Sequence, residues 1–156
     1  MTRMKQYSPL SMIVMIVAVV AVGVGIFFMV QGVTKAGWMK EAMVEEQVTL
    51  GLDETAVANG EFVDAAAELQ AAGDMLREHR RVIAPTYTEL LEHSNGRYNA
   101  SHLEDLNYTQ ALNMENYLYL GVLGFGVADM ALGIGAFMLA SGIAFGAISF
   151  ALPKRK

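Results

Sequence analysis

Two long apolar stretches dominate the pattern of this chain. The first is an uncharged run from Leu10 through Val33, preceded by Arg3 and Lys5 and followed by Lys35. Its 24 residues would measure about 36 Å as a helix, enough to cross a hydrocarbon layer about 30 Å thick. A cleaved signal peptide has an apolar region of only about 7–15 residues, so a retained anchor is expected. The second run extends from Tyr117 to Leu152, contains one ionisable residue, Asp129, and stops at Pro153-Lys154-Arg155-Lys156. As one helix it would measure roughly 54 Å, too long for the hydrocarbon layer alone. Counting back from its basic end assigns about residues 129–152 to the membrane and leaves the remainder outside it.

Small side chains recur every seven residues in both runs. Ser11, Ala18, Gly25 and Gly32 mark the first; Gly121, Ala128, Gly135, Gly142 and Ser149 mark the second. Residues seven apart share a helix face, and this period implies a shallow left-handed crossing. In lipid, small residues let two backbones approach closely where apolar burial gives no drive. An antiparallel pairing sets Ser11 against Ser149, Ala18 against Gly142, Gly25 against Gly135 and Gly32 against Ala128. The same register matches Gln31 with Asp129 in depth, as a polar pair at the outer rim. A carboxylate is less costly there than at the bilayer centre, where insertion costs about 2.5–3.5 kcal/mol. Gly142 and Gly146 form a GxxxG pattern that can also dock a helix of another protein.

The intervening segment reads as helical. Residues 36–50 continue the first helix past Trp38 at the interface until Val48-Thr49-Leu50-Gly51, and a loop through Asn59-Gly60 follows. Asp64 is the expected N-cap of an amphipathic helix whose stripe is Ala65, Leu69, Ala72, Leu76, His79 and Ile83, stopped by Pro85. Thr86-Tyr87-Thr88-Glu89 has the capping-box form and starts a short helix that ends at Ser94-Asn95-Gly96. Ser101-His102-Leu103-Glu104 repeats that form and opens a helix expected to run unbroken into the second apolar run. The fold class is therefore an all-α membrane protein. It is an antiparallel hairpin of two transmembrane helices, extended outside the bilayer, with an inserted extracytoplasmic helical cap. The divisions are a basic tail 1–9, transmembrane helix 10–33, helical segment 34–116, long helix 117–152 and basic tail 153–156.

Charge sets the orientation. The two tails carry five basic residues (Arg3, Lys5, Lys154, Arg155, Lys156) and no acidic one, whereas residues 34–116 carry six basic and fifteen acidic residues. Short basic flanks are retained on the cytoplasmic side of the plasma membrane, so both termini are expected inside and the middle segment outside. The chain is 54% hydrophobic and 17% charged, with net charge -5, which disfavours an ordinary soluble domain and a nucleic-acid partner. With no cysteine, disulfide frameworks, thiolate metal sites and cysteine nucleophiles are excluded.

The stretches Asn59-Gly60-Glu61-Phe62-Val63-Asp64 through Arg77-Glu78-His79, Thr86-Tyr87-Thr88-Glu89-Leu90, Gly96-Arg97-Tyr98 and Gly124-Phe125-Gly126-Val127-Ala128-Asp129 carry a resemblance. Over about residues 36–145 the chain resembles a group of small two-span bacterial membrane proteins with no assigned function. The resemblance implies the two-span architecture and brings no catalytic residue. The ring-cleaving dioxygenase label borne by some members is not transferred, since nothing here supplies the required metal site. Where that group often has glycine before its Thr-Tyr element, this chain has Ala84-Pro85.

His79, His93 and His102 lie among many carboxylates, but their spacings match no compact ligand signature. Asp64, Glu68, Asp74 and Glu78 read as a solvated helix face, since no twelve-residue calcium loop surrounds them. Dinucleotide, P-loop and nucleophile-elbow motifs are absent. No catalytic, cofactor or metal residue is expected, and no cofactor. The functional expectation is a non-enzymatic accessory or assembly subunit in contact with membrane lipids that engages another integral membrane protein or itself. The alternative is a small carrier or sensor that binds a lipid or apolar ligand at the outer interface.

Overall fold

A computed structural model describes residues 8–152; residues 1–7 of the basic tail assigned above to 1–9, and all of the tail 153–156, lie outside them. Every regular element is a helix, and no strand occurs among the described residues. Helix α1 spans Pro9–Glu45, α2 Glu54–Ala58, α3 Ala66–Ile83, α4 Tyr87–His93 and α5 Leu103–Ala151. Helices α1 and α5 are long and apolar enough to cross a membrane. The chain divides into two compact units: residues up to Lys35 together with those from Val127 onward form the first, and Ala36–Gly126 the second.

Within the first unit, α1 and α5 run antiparallel, with Ser11 near the start of one bonded to Ser149 near the end of the other. Ser11, Ala18, Gly25 and Gly32 are buried on α1, and Ala128, Gly135, Gly142 and Ser149 on α5. Large side chains such as Ile13, Val20, Phe27, Phe137 and Phe150 face outward. An apolar exterior around a core of small residues inverts the soluble pattern, and lipid is the solvent that such a surface suits.

The second unit packs α3, α4 and its portions of α1 and α5 around two apolar clusters. Val63, Leu69, Ala72, Leu76 and Leu118 form the larger, against which Met43, Val48 and Leu50 pack. Ala84, Leu90 and Tyr108 form the smaller. The loop between α2 and α3 is pinned to the end of α1 by the Val63 amide, which donates to the Val48 carbonyl at 2.7 Å. Gly51 has a φ of +84° and its α-carbon faces the Ala72 backbone so closely that an added Cβ would lie 2.9 Å from the Ala72 nitrogen. Only glycine meets both demands.

Several local details differ from the sequence expectation. Helix α1 ends at Glu45, not near Leu50, because Gln47 turns left-handed at φ 52°. Its amide and that of Val48 donate back to the carbonyls of Val44 and Met43, the double bond of a Schellman end. Glycine would adopt this conformation without the Cβ penalty, and Gln47 is exposed. Gln47→Gly should therefore stabilise the second unit by about 0.5–1 kcal/mol, read as a higher thermal midpoint in detergent.

Asp64 does not cap α3, whose first flanking residue is Ala65 with no side-chain cap bond. The Asp64 carboxylate pairs with Lys40 instead, and its amide donates to the Glu68 carboxylate at 2.9 Å. A single turn, α2, capped by the Asp53 side chain on the Ala56 amide, stands where a plain loop was expected. Thr86 Oγ1 does accept from the Glu89 amide at 3.3 Å, and α3 stops at Ile83 before Pro85. At α5, the Ser101 amide donates to the Asn99 side chain, and the helix starts at Leu103.

Candidate functional site

The seam of the first unit is a backbone-to-backbone contact. A Cβ built on Gly25 would stand 2.9 Å from the Gly135 carbonyl oxygen, and one on Gly135 would stand 2.8 Å from the Gly25 oxygen. At Gly32 the nearest backbone atom is the Ala128 oxygen, at 2.9 Å, and at Gly142 it is the Ala18 oxygen, also at 2.9 Å. Leu132, Leu139, Met29 and Val22 each lay a side chain over one of these glycines. At one end of the seam the Ser11 hydroxyl donates to the Ser149 carbonyl at 2.8 Å and the Ser149 hydroxyl donates to the Ser11 carbonyl at 2.8 Å. The hydroxyl oxygens then lie 3.1 Å apart. Interhelical hydrogen bonds of this kind contribute about 0.6 kcal/mol, and up to about 2, in a membrane.

Gln31 and Asp129 are not brought together. Both are exposed, and no hydrogen bond joins them among the described residues. Each residue turns the helix by about 100°. In an antiparallel pair, the position before one contact residue and the position after its partner therefore point to opposite flanks, even at equal depth. Gly133, Ala140 and Ala147, each five residues beyond a seam residue and so about 140° around the helix, are also exposed. A Cβ on Gly133 would meet nothing within 4 Å. Helix α5 thus carries small side chains on two faces, and α1 covers one.

The second unit contains a buried ion cluster that joins α3 to α5. Arg77 Nε donates to one oxygen of Glu115 at 3.0 Å, and Arg80 Nε donates to the other at 2.9 Å. Arg80 Nη1 also donates to the Tyr108 hydroxyl at 2.5 Å, and its guanidinium lies over that ring. The Tyr119 hydroxyl donates to Asp74 at 2.6 Å, where Gln70 donates as well. The side chains of Arg80 and Glu115 are only 10% and 7% exposed, a depth that charged groups tolerate when paired and hydrogen-bonded. Two guanidinium groups balance two carboxylates, so the cluster is neutral overall.

Burial raises the Glu115 carboxyl, but hydrogen bonds from Arg80 and Arg77 outweigh it and hold the group below its ordinary value. Asp74 is lowered first by the Tyr119 hydroxyl and then by Gln70. Burial, and then the bond to Asp74, push Tyr119 up to about 12. Carboxylates depressed in the folded state add stability that is complete above their unfolded values, near 4, and is lost as pH falls through the folded ones. Acidification below about pH 4 should therefore loosen the second unit, with a loss of tertiary circular dichroism that Glu115→Gln makes smaller.

A second buried carboxylate, Asp105, accepts from the Ser94 hydroxyl at 2.7 and 2.8 Å and from the Asn99 amide at 2.8 Å. These bonds, in that order, lower its pKa. His93 and His102 both line the shallow cavity beside it, and His79 does not. All three histidines are exposed, and His79 is off the buried stripe of α3, which runs through Leu69, Ala72, Gly73, Leu76 and Arg80. No group of three or more His, Cys, Asp or Glu able to hold a metal occurs among the described residues.

A concavity of about 530 Å³ in the second unit opens between α1, the loop after it and α5. Met43, Leu50, Leu118, Met114 and Tyr117 line it, and Glu46 is its one charged lining residue. Its size falls within the ~300–1,000 Å³ typical of small-ligand sites. Periodicity missed both this cavity and the ion cluster. Comparison of the chain with protein-family models, with curated proteins and with solved structures found no match.

Proposed function

We propose that the protein is an integral plasma-membrane hairpin that serves, without enzymatic activity, as an accessory or assembly subunit for another membrane protein. Both termini are cytoplasmic, residues about 34–116 form an extracytoplasmic helical cap, and α1 and α5 cross the bilayer. The observation that carries the reading is the second, uncovered face of small residues on α5, at Gly133, Ala140 and Ala147. Small residues are the means by which helices meet in lipid, whereas the outward face of α1 is set mainly with branched and aromatic side chains, Gly23 being the exposed exception within its apolar run. Affinity isolation from native membranes in mild detergent should recover a defined protein partner, and Gly133→Leu with Ala140→Leu should release it. Recovery of the chain alone, in both forms, would contradict the proposal. The apolar cavity of the second unit favours a second reading, a carrier or sensor for an apolar ligand.

A further inference from the structure

We infer that the cavity between Met43, Leu50, Leu118 and Tyr117 binds the alkyl chain of an ammonium-bearing amphiphile, with the ammonium group held at Glu46. The inference rests on the second reading above and specifies the head group. The cavity is almost wholly apolar, and Leu118 in its lining is itself 8% exposed and part of the larger core cluster. Apolar walls of this kind take hydrocarbon and reject free ions. Met43 and Met114 flank the space, and methionine adapts its shape to irregular apolar ligands.

Charge at the rim selects the head. Glu46 is exposed, and no ion pair or side-chain hydrogen bond engages its carboxylate among the described residues. No basic residue lines the cavity. The ring of Tyr117, 71% exposed on the facing helix, offers a cation a second favourable surface. On α1, Glu41 and Glu45 are exposed as well while Lys40 is engaged by Asp64, a balance that repels an anionic head and draws a cationic one. Glu46 is the one charged residue that lines the opening, and a phosphate or sulfate head would meet like charge there.

Dodecylammonium, dodecanol and dodecyl sulfate serve as probes against the full chain held in amphipol, with methyl-labelled methionine read by NMR. Dodecylammonium should shift Met43 and Met114 saturably and leave Met15, in the first unit, unmoved. Dodecanol should bind roughly three- to tenfold more weakly, the loss of one charge-assisted contact, and dodecyl sulfate more weakly still. Glu46→Gln should erase the difference between dodecylammonium and dodecanol. Ala42→Trp, which fills the cavity from a half-exposed helix position, should abolish saturable binding of all three. Equal affinity for the three probes would overturn the head-group assignment while leaving an apolar-ligand site. The absence of any saturable shift would overturn both.

Discussion

Glu115→Ala should lower the unfolding free energy of the second unit by about 3–5 kcal/mol, the cost of leaving a buried charge without its partner. Both oxygens of that carboxylate are in use, one on Arg77 and the other on Arg80. Removing it strands the Arg80 guanidinium, which has almost no access to water, whereas Arg77 is 38% exposed and keeps Asp74 at 3.5 Å. Tyr108 remains as a hydrogen-bond acceptor for Arg80 but cannot neutralise it. Arg80→Leu combined with Glu115→Leu should restore much of the loss, because an apolar pair of similar volume often equals or exceeds a buried ion pair. Chemical denaturation of Arg80→Leu, Glu115→Leu and the double variant in detergent gives the coupling energy directly. A loss below about 1 kcal/mol for Glu115→Ala, the value of a solvent-screened pair, would show that the cluster is not buried.

Gly135→Leu should destabilise the packing of α1 on α5 by about 1–3 kcal/mol, the usual cost of forcing volume into a closed contact. The first carbon of the new side chain already meets the Met29 side chain at 2.6 Å and the Gly25 carbonyl at 2.8 Å. Backbone atoms cannot rotate aside, so the helices must separate. Gly133→Leu, two residues away on the same helix, adds the same atoms into open space and should change stability by no more than about 0.5 kcal/mol. Unfolding in mixed micelles distinguishes the pair, and equal losses at Gly133 and Gly135 would remove the distinction between the covered and uncovered faces.

The helical class and the two long apolar helices were legible in the sequence, because lipid-length apolar runs leave few alternatives. The positions of the seam come from spacing as well. Glycine, alanine and serine seven residues apart fall on one face, and the close backbone approaches at Gly25, Gly32, Gly135 and Gly142 lie on those positions. The ion cluster was not legible. A periodicity argument counts arginine as outward-facing, so the stripe on α3 was carried through His79. The buried position is Arg80, four residues after Leu76, and it is made tolerable by Glu115 and Tyr108 some 30 residues later in the chain. Pairing across helices leaves no local signature. Asp64 failed as a cap for a similar reason, since Lys40 engages its carboxylate from another helix. The pairing of Gln31 with Asp129 failed on geometry, because matching depth says nothing about which flank a side chain takes.

The central claim is that α1 and α5 of one chain pack antiparallel along the seam. The glycine positions leave no room for a reporter, but Ser11 and Ser149 already hold their hydroxyl oxygens 3.1 Å apart, and the chain has no native cysteine. Ser11→Cys with Ser149→Cys should therefore form a disulfide on mild oxidation in native membranes, within the reach that such a bond requires. The expected product is an internally bridged monomer that migrates faster than its reduced form. A ladder of chains joined only to one another, with no bridged monomer, would contradict the claim.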